Sequence, residues 1–119
     1  DNLKLAEKIS IQQIKTNFKP KIFIQVNIAN ETQKNGIDIS ELKNFLEVCI
    51  KNVDLNIIGL MCIPPNNEST EKYFKKMSQL NKEFGLKELS MGMSADYIDA
   101  INHGATFVRV GSKIFGKRD

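Results

Sequence analysis

The chain has 119 residues with 17 Lys+Arg against 14 Asp+Glu, and it is 41% hydrophobic, 8% aromatic and 26% charged, the proportions of an ordinary folded soluble domain rather than a disordered, collagenous or coiled-coil one. One histidine, two cysteines without CxxC spacing and no apolar run approaching about 18 residues exclude a disulfide scaffold, a clustered zinc site and a membrane-spanning helix. The net charge of +3 comes from dispersed lysines with no basic block and no interleaved aromatics, so it reads as solubility, with neither nucleic acid nor membrane as partner.

Residue 1 is Asp, and the segment after it lacks the apolar core and cleavage site of a signal peptide, which implies a natural chain that starts upstream and stays in the cytoplasm. Leu5, Ile9 and Ile14 behind a possible Asp1 cap predict a helix over residues 1–16, which Pro20 keeps from continuing. Residues 21–29, KIFIQVNIA, have strand composition, and the polar residues 30–39 with Gly36 read as a loop long enough to carry function. Leu42, Phe45, Leu46, Cys49 and Ile50 form one helical stripe, with Asp38 or Ser40 as its cap. The nearly continuous apolar run of residues 55–63, ended by Pro64 and Pro65, suits a strand buried on both faces of a parallel sheet.

Tyr73, Met77, Leu80 and Phe84 predict a second striped helix, opened by Ser69 or Thr70 and stopped by Gly85. A short strand over residues 89–93 follows, then a helix opened by Ser94 and ended at Gly104, and a last strand over residues 106–110. This alternation argues for the α/β class with a parallel sheet. Two architectures satisfy it: a small open doubly wound sheet, or four of the eight units of a (β/α)8 barrel, and the start at Asp1 favours the half barrel. A half barrel leaves two open sheet edges, so a homodimer or a complex with the missing N-terminal half is expected.

Both architectures bind ligands at the carboxyl ends of their strands. That singles out residues 27–36, residues 61–65, and the pair formed by residues 90–94 and 109–112. Ser94 at a predicted helix start, with Gly111 and Ser112, sketches a phosphate cup, although by spacing alone an N-cap and a turn explain the same residues. Cys49 and Cys62 read as small core residues kept reduced, and His103 before Gly104 as a helix C-terminal partner without a catalytic role.

The stretch LSMGMSADYIDAINHGATFVRVGSKIFGKR, residues 89–118, resembles the C-terminal signature of the YggS-like pyridoxal-phosphate homeostasis family, whose barrel is similar to the N-terminal domain of alanine racemase. IQVNIANETQKNGI, residues 24–37, resembles the same family's strand and Asn-x-x-x-Glu-x-x-Lys-x-Gly loop, with Glu31 and Lys34 at its charged positions, and IIGLMCI, residues 57–63, resembles its Gly-Leu-Met strand. The resemblance covers the whole chain and implies the second half of a (β/α)8 barrel that binds pyridoxal 5′-phosphate (PLP).

By that resemblance Ser94, Gly111 and Ser112 contact the cofactor phosphate, Arg109 faces the pyridine nitrogen, and Met91 and Gly92 line the site, although strand packing accounts for Met91 and Gly92 equally well. A guanidinium stays protonated and donates, so a ring nitrogen facing it remains unprotonated and a poor electron sink. The Schiff-base lysine of the family belongs to its first barrel strand and is not among these residues; Lys34 and Lys113 lie in loops and do not match it. The expected function is therefore vitamin B6 homeostasis by a non-catalytic PLP carrier, with PLP or phosphate as ligand. A PLP-dependent racemase-like enzyme, a small phosphate-binding enzyme and a non-functional remnant are the alternatives.

Overall fold

The computed structural model describes residues 2–32, 35–65 and 69–109. Helix α1 runs Asn2–Thr16, strand β1 Lys21–Gln25, helix α2 Ile39–Glu47, strand β2 Asn56–Met61, helix α3 Glu71–Glu83, strand β3 Glu88–Ser90 and helix α4 Tyr97–Asn102. The three strands form one sheet in the order β1-β2-β3, and both pairings are parallel. Chain order and sheet order coincide, so α2 and α3 are the crossovers between neighbouring strands, the βαβ arrangement that the alternation predicts.

Each strand is shorter than its sequence run. The apolar run of residues 55–63 pairs only over Asn56–Met61, and the expected strand over 106–110 is reduced to a single parallel bridge from Ser90 to Phe107, with Val110 outside the described residues. That bridge still adds a fourth parallel segment, since the Met91 amide donates to the Phe107 carbonyl at 3.1 Å. Ile22 pairs with Ile57 but Phe23 pairs with Gly59, which leaves Ile58 as an extra residue. The bulge lets Ile57 and Leu60, three residues apart, both lie in the core at 8% and 0% exposure.

Ile24, Val26, Leu60, Leu89 and Met91 on the helix side of the sheet join Leu42, Leu46 and Cys49, Phe74, Met77 and Leu80, and Ala100 in one buried cluster. The predicted stripe of α2 holds through Cys49 and then fails. A π-helical turn over Val48–Asn52, closed by the Val53 amide on the Val48 carbonyl at 3.1 Å, widens the coil and carries Ile50 out to solvent. In α3 the buried residues are Phe74, Met77, Leu80 and also Asn81, a polar position that the stripe does not contain. Asn81 Nδ2 donates to the Leu86 and Glu88 carbonyls at 3.1 and 2.9 Å, and its Oδ1 accepts from the Leu60 amide at 3.2 Å, so one side chain ties α3 to two strands.

Two expectations about helices are corrected. On α1 only Ala6 is buried while Leu5 and Ile14 are exposed, because α1 lies beside β1, the first strand of the sheet, and has a strand on one side only. Helix α4 starts at Tyr97 with Asp96 as its cap residue, not at Ser94: the Met93 amide donates to Asp96 Oδ1 at 2.7 Å and the Asp96 amide to the Met93 carbonyl at 3.0 Å, closing a separate turn that holds Ser94. At the amino ends of the strands Gln13 Nε2 donates to the Asp54 carbonyl at 2.9 Å and Lys19 pairs with Asp54 at 3.0 Å, fastening α1 to the start of β2.

The sheet is curved. Side chains standing on β1 and on the segment after β3 of a flat sheet would be about 14 Å apart, three strand spacings, yet the Phe23 and Phe107 ring centroids are 5.1 Å apart at 75°. Gly59 lies between them: a Cβ there would stand 3.0 Å from the Phe23 ring and 1.9 Å from the Glu88 carbonyl oxygen, so a residue without a side chain is required. This is an α/β domain with parallel strands bent as in part of a (β/α)8 barrel, its concave face opposite the helices.

Candidate functional site

The register places Gln25 beside Met61 and Met61 beside Ser90. These are the last residues of β1, β2 and β3. Each is half-buried between two core residues: Gln25 between Ile24 and Val26, Met61 between Leu60 and Cys62, Ser90 between Leu89 and Met91. Strand alternation therefore puts all three side chains on the concave face, in one row at the carboxyl ends. Phe23, one concave position before Gln25, meets the ring of Phe107, which pairs with Ser90, and the two rings cover the face toward the amino ends. Among the described residues no hydrogen bond engages the Gln25 amide or the Ser90 hydroxyl, so both are available to a ligand.

Arg109 continues this face. Val108 packs against the core, which directs its neighbours Phe107 and Arg109 to the concave side. The Arg109 side chain is exposed, and its amide donates to the Gly92 carbonyl at 3.0 Å, which fixes the segment against the loop after β3. Gly92 has φ of 101°, and a Cβ there would stand 2.5 Å from Ala100 Cβ, so the close approach of this loop to α4 depends on glycine. Ser94 is half-buried at the tip of the clamped turn, one loop away from Arg109.

Of the residues expected at the site, Gly92, Ser94 and Arg109 come together around the end of β3. Met91 is 2% exposed in the core, so its contribution there is through its backbone, whose amide is already taken by Phe107. Gly111, Ser112, Lys113 and Lys34 lie outside the described residues. In the 27–36 loop, Asn27 is buried; its Oδ1 accepts from the Glu31 amide at 3.1 Å and its Nδ2 donates to the Glu31 carbonyl at 3.0 Å, which leaves the Glu31 side chain in solvent. Of the row Gln25–Met61–Ser90, Met61 and Ser90 lie within the segments expected at the carboxyl ends, whereas Gln25, which precedes the 27–36 loop, was missed. Its signal is the alternation of each strand read to its last residue.

Cys62 follows the row but is no nucleophile. Burial, with the Asp96 charge adding to it, pushes its thiol up to about 12, and burial raises Cys49 as well, so both stay protonated packing groups. His103 Nδ1 lies 2.8 Å from the Asp99 carbonyl and its Nε2 3.9 Å from Glu71, at the end of α4 and away from the row. Two clefts lie elsewhere: one of about 310 Å³ between α1 and the outer edge of β1, lined by Leu5, Ile9 and Phe45, and one of about 530 Å³ around Lys21, Asn56 and Lys87 toward the amino ends. The first runs along the edge of β1 as far as Gln25 and Ile37 at its carboxyl end, and the second stays at the amino ends, away from where barrels carry chemistry.

Comparison with known proteins agrees with this fold. The sequence model of the alanine racemase N-terminal domain family matches residues 1–119. The chain is 37% identical over 127 aligned positions to the pyridoxal phosphate homeostasis protein of Aquifex aeolicus (strain VF5), covering 99% of this chain and 56% of that protein. It is 35% identical to the Escherichia coli (strain K12) protein of the same name, covering all of this chain and 54% of that one. The chain thus spans about half the length of the curated relatives it matches. Among solved structures, PipY of Synechococcus elongatus PCC7942 with PLP bound superposes with a TM-score of 0.82 at 30% identity, over 95% of this chain and 57% of PipY. The chain, a curved parallel α/β sheet matched over residues 1–119, belongs to the alanine racemase N-terminal domain family.

Proposed function

We propose that this chain is a single partial domain, the C-terminal half of a barrel, and that it serves vitamin B6 homeostasis as a non-catalytic carrier of pyridoxal 5′-phosphate. The observation that carries the reading is the convergence of Arg109 and the Gln25–Met61–Ser90 row at the carboxyl ends of the strands. The PLP-bound structure of PipY and the names of the relatives support it.

The residues present fit the ring end of that cofactor. The concave face offers an apolar floor, side-chain donors and acceptors without internal partners, and one exposed guanidinium. When bound, PLP supplies an aldehyde and an electron-withdrawing pyridine ring. Arg109 donates to the ring nitrogen and, being always charged, gives it no proton, which suits holding the cofactor rather than stabilising carbanions on it. Ser94, with Gly111 and Ser112, receives the phosphate, and the Gly92 carbonyl holds the Arg109 backbone against the loop that carries Ser94. The racemase-like alternative needs two proton-transferring groups on opposite faces of the ring; an amide, a thioether and a hydroxyl supply none, and Cys62 holds its proton to about pH 12.

Without the lysine that the resemblance assigns to another part of the barrel, these 119 residues bind PLP non-covalently. The exposed Leu5 and Ile14 of α1 are covered by the N-terminal half in the whole protein, or by a second copy where this half stands alone. Two free, buried cysteines suit a cytoplasmic setting, and among the described residues no helix is long and apolar enough to cross a membrane.

The test is selectivity: dissociation constants for PLP and for inorganic phosphate, in the wild-type chain and in Arg109→Ala. The reading requires PLP to bind more tightly than phosphate and that preference to fall in Arg109→Ala, with phosphate affinity kept. Equal affinity for both ligands in the wild type would reduce the site to an anion site and overturn it.

A further inference from the structure

We propose that Gln25, Met61 and Ser90 are a ring-reading strip. Met61 lies against a planar heteroaromatic ring, and the Gln25 amide and Ser90 hydroxyl hydrogen-bond to polar substituents on either side of it. The inference rests on the PLP reading above and deepens it by giving roles to three residues outside the phosphate cup, to which the resemblance assigns none.

Four observations carry it. The three residues are register partners, so their side chains leave the sheet side by side. Each ends its strand, at the mouth of the barrel rather than inside it. The side chains of the two outer members are polar and make no hydrogen bond among the described residues, while the middle one is a thioether, which makes favourable contacts with aromatic rings. The backbones at Gln25 and Ser90 stand two strand spacings apart, about 10 Å, and the curvature brings their concave-face side chains nearer, within reach of opposite edges of one six-membered ring. Phe23, one concave position before Gln25, meets the ring of Phe107, the bridge partner of Ser90, so the interior below the row on the Gln25 side is filled and a planar ligand rests above Phe23. Arg109 adjoins the Ser90 end, which orients the ring with its nitrogen toward the last strand.

A Met-methyl NMR titration of the 119-residue chain with PLP tests the strip without altering it. The chain has four methionines, of which Met77 and Met91 are buried in the core and Met93 is exposed outside the row. The strip requires the Met61 methyl resonance to shift on binding, by the ring current of the pyridine, while Met77 stays in place. Gln25→Leu and Ser90→Ala should each weaken PLP binding about two- to tenfold, the worth of one hydrogen bond, and leave inorganic phosphate affinity unchanged. PLP binding with an unmoved Met61 and unchanged affinities in both variants overturns the strip but keeps the carrier reading. A wild-type chain that binds phosphate and discriminates against PLP overturns both.

Discussion

The amide of Arg109 donates to the carbonyl of Gly92 at 3.0 Å, which joins the last described residue to the loop after β3. Two segments that the sequence separates by 17 positions are thereby one structural unit. Gly92→Ala should break it, because the new methyl meets Ala100 Cβ at 2.5 Å in a backbone with φ of 101°. We expect a loss of about 1–3 kcal/mol in denaturant unfolding. Gly92→Ala combined with Ala100→Gly should recover the clash component and leave the backbone strain; no recovery in the double variant would contradict the contact.

Asn81 should be as costly to remove as a large core residue. Asn81→Ala or Asn81→Leu leaves the Leu60 amide and the Leu86 and Glu88 carbonyls without their partner, and a loss of about 3 kcal/mol is expected in urea unfolding. A change below about 0.5 kcal/mol, the range of ordinary surface substitutions, would show that the three bonds are dispensable.

What the sequence reveals of this fold is its local part. The stripe of α3 and the apolar run of β2 are legible because burial on one side writes itself into spacing within a few residues. Asn81 escapes that reading because its partners are backbone groups of two strands that only tertiary structure brings to it. The bulge at Ile58 and the π-helical turn at Val48–Asn52 escape it too, each shifting one residue against an otherwise regular period. At the site, Arg109 and Gly92 are legible through a family motif. The Gln25–Met61–Ser90 row is a register relationship among residues 25, 61 and 90, and no local pattern carries it.

Alkaline pH should act through Cys62. Its thiol rises from an ordinary 9.0 to about 12 in the folded chain, so the folded state keeps a proton that the unfolded state releases above pH 9. The stability associated with that proton is fully present below pH 9 and is lost as pH rises toward 12. Unfolding free energy should therefore fall between pH 9 and 11 more steeply in the wild type than in Cys62→Ala. Parallel pH profiles for the two would contradict the burial of the thiol.

The Phe23–Phe107 contact reports the curvature of the sheet. A double-mutant cycle with Phe23→Leu and Phe107→Leu should return a coupling of about 0.5–1.5 kcal/mol, as for edge-to-face aromatic pairs. A coupling of zero would mean that the two rings do not meet and that the sheet is flatter than described.

Equilibrium dialysis of the 119-residue chain against PLP tests the central claim most directly. The account predicts saturable retention of one PLP per chain that washes out completely on further dialysis, and that borohydride does not fix to any single lysine in stoichiometric amount. Retention no greater than that of an unrelated protein of similar charge would contradict the carrier function, and one stoichiometrically labelled lysine would contradict non-covalent binding.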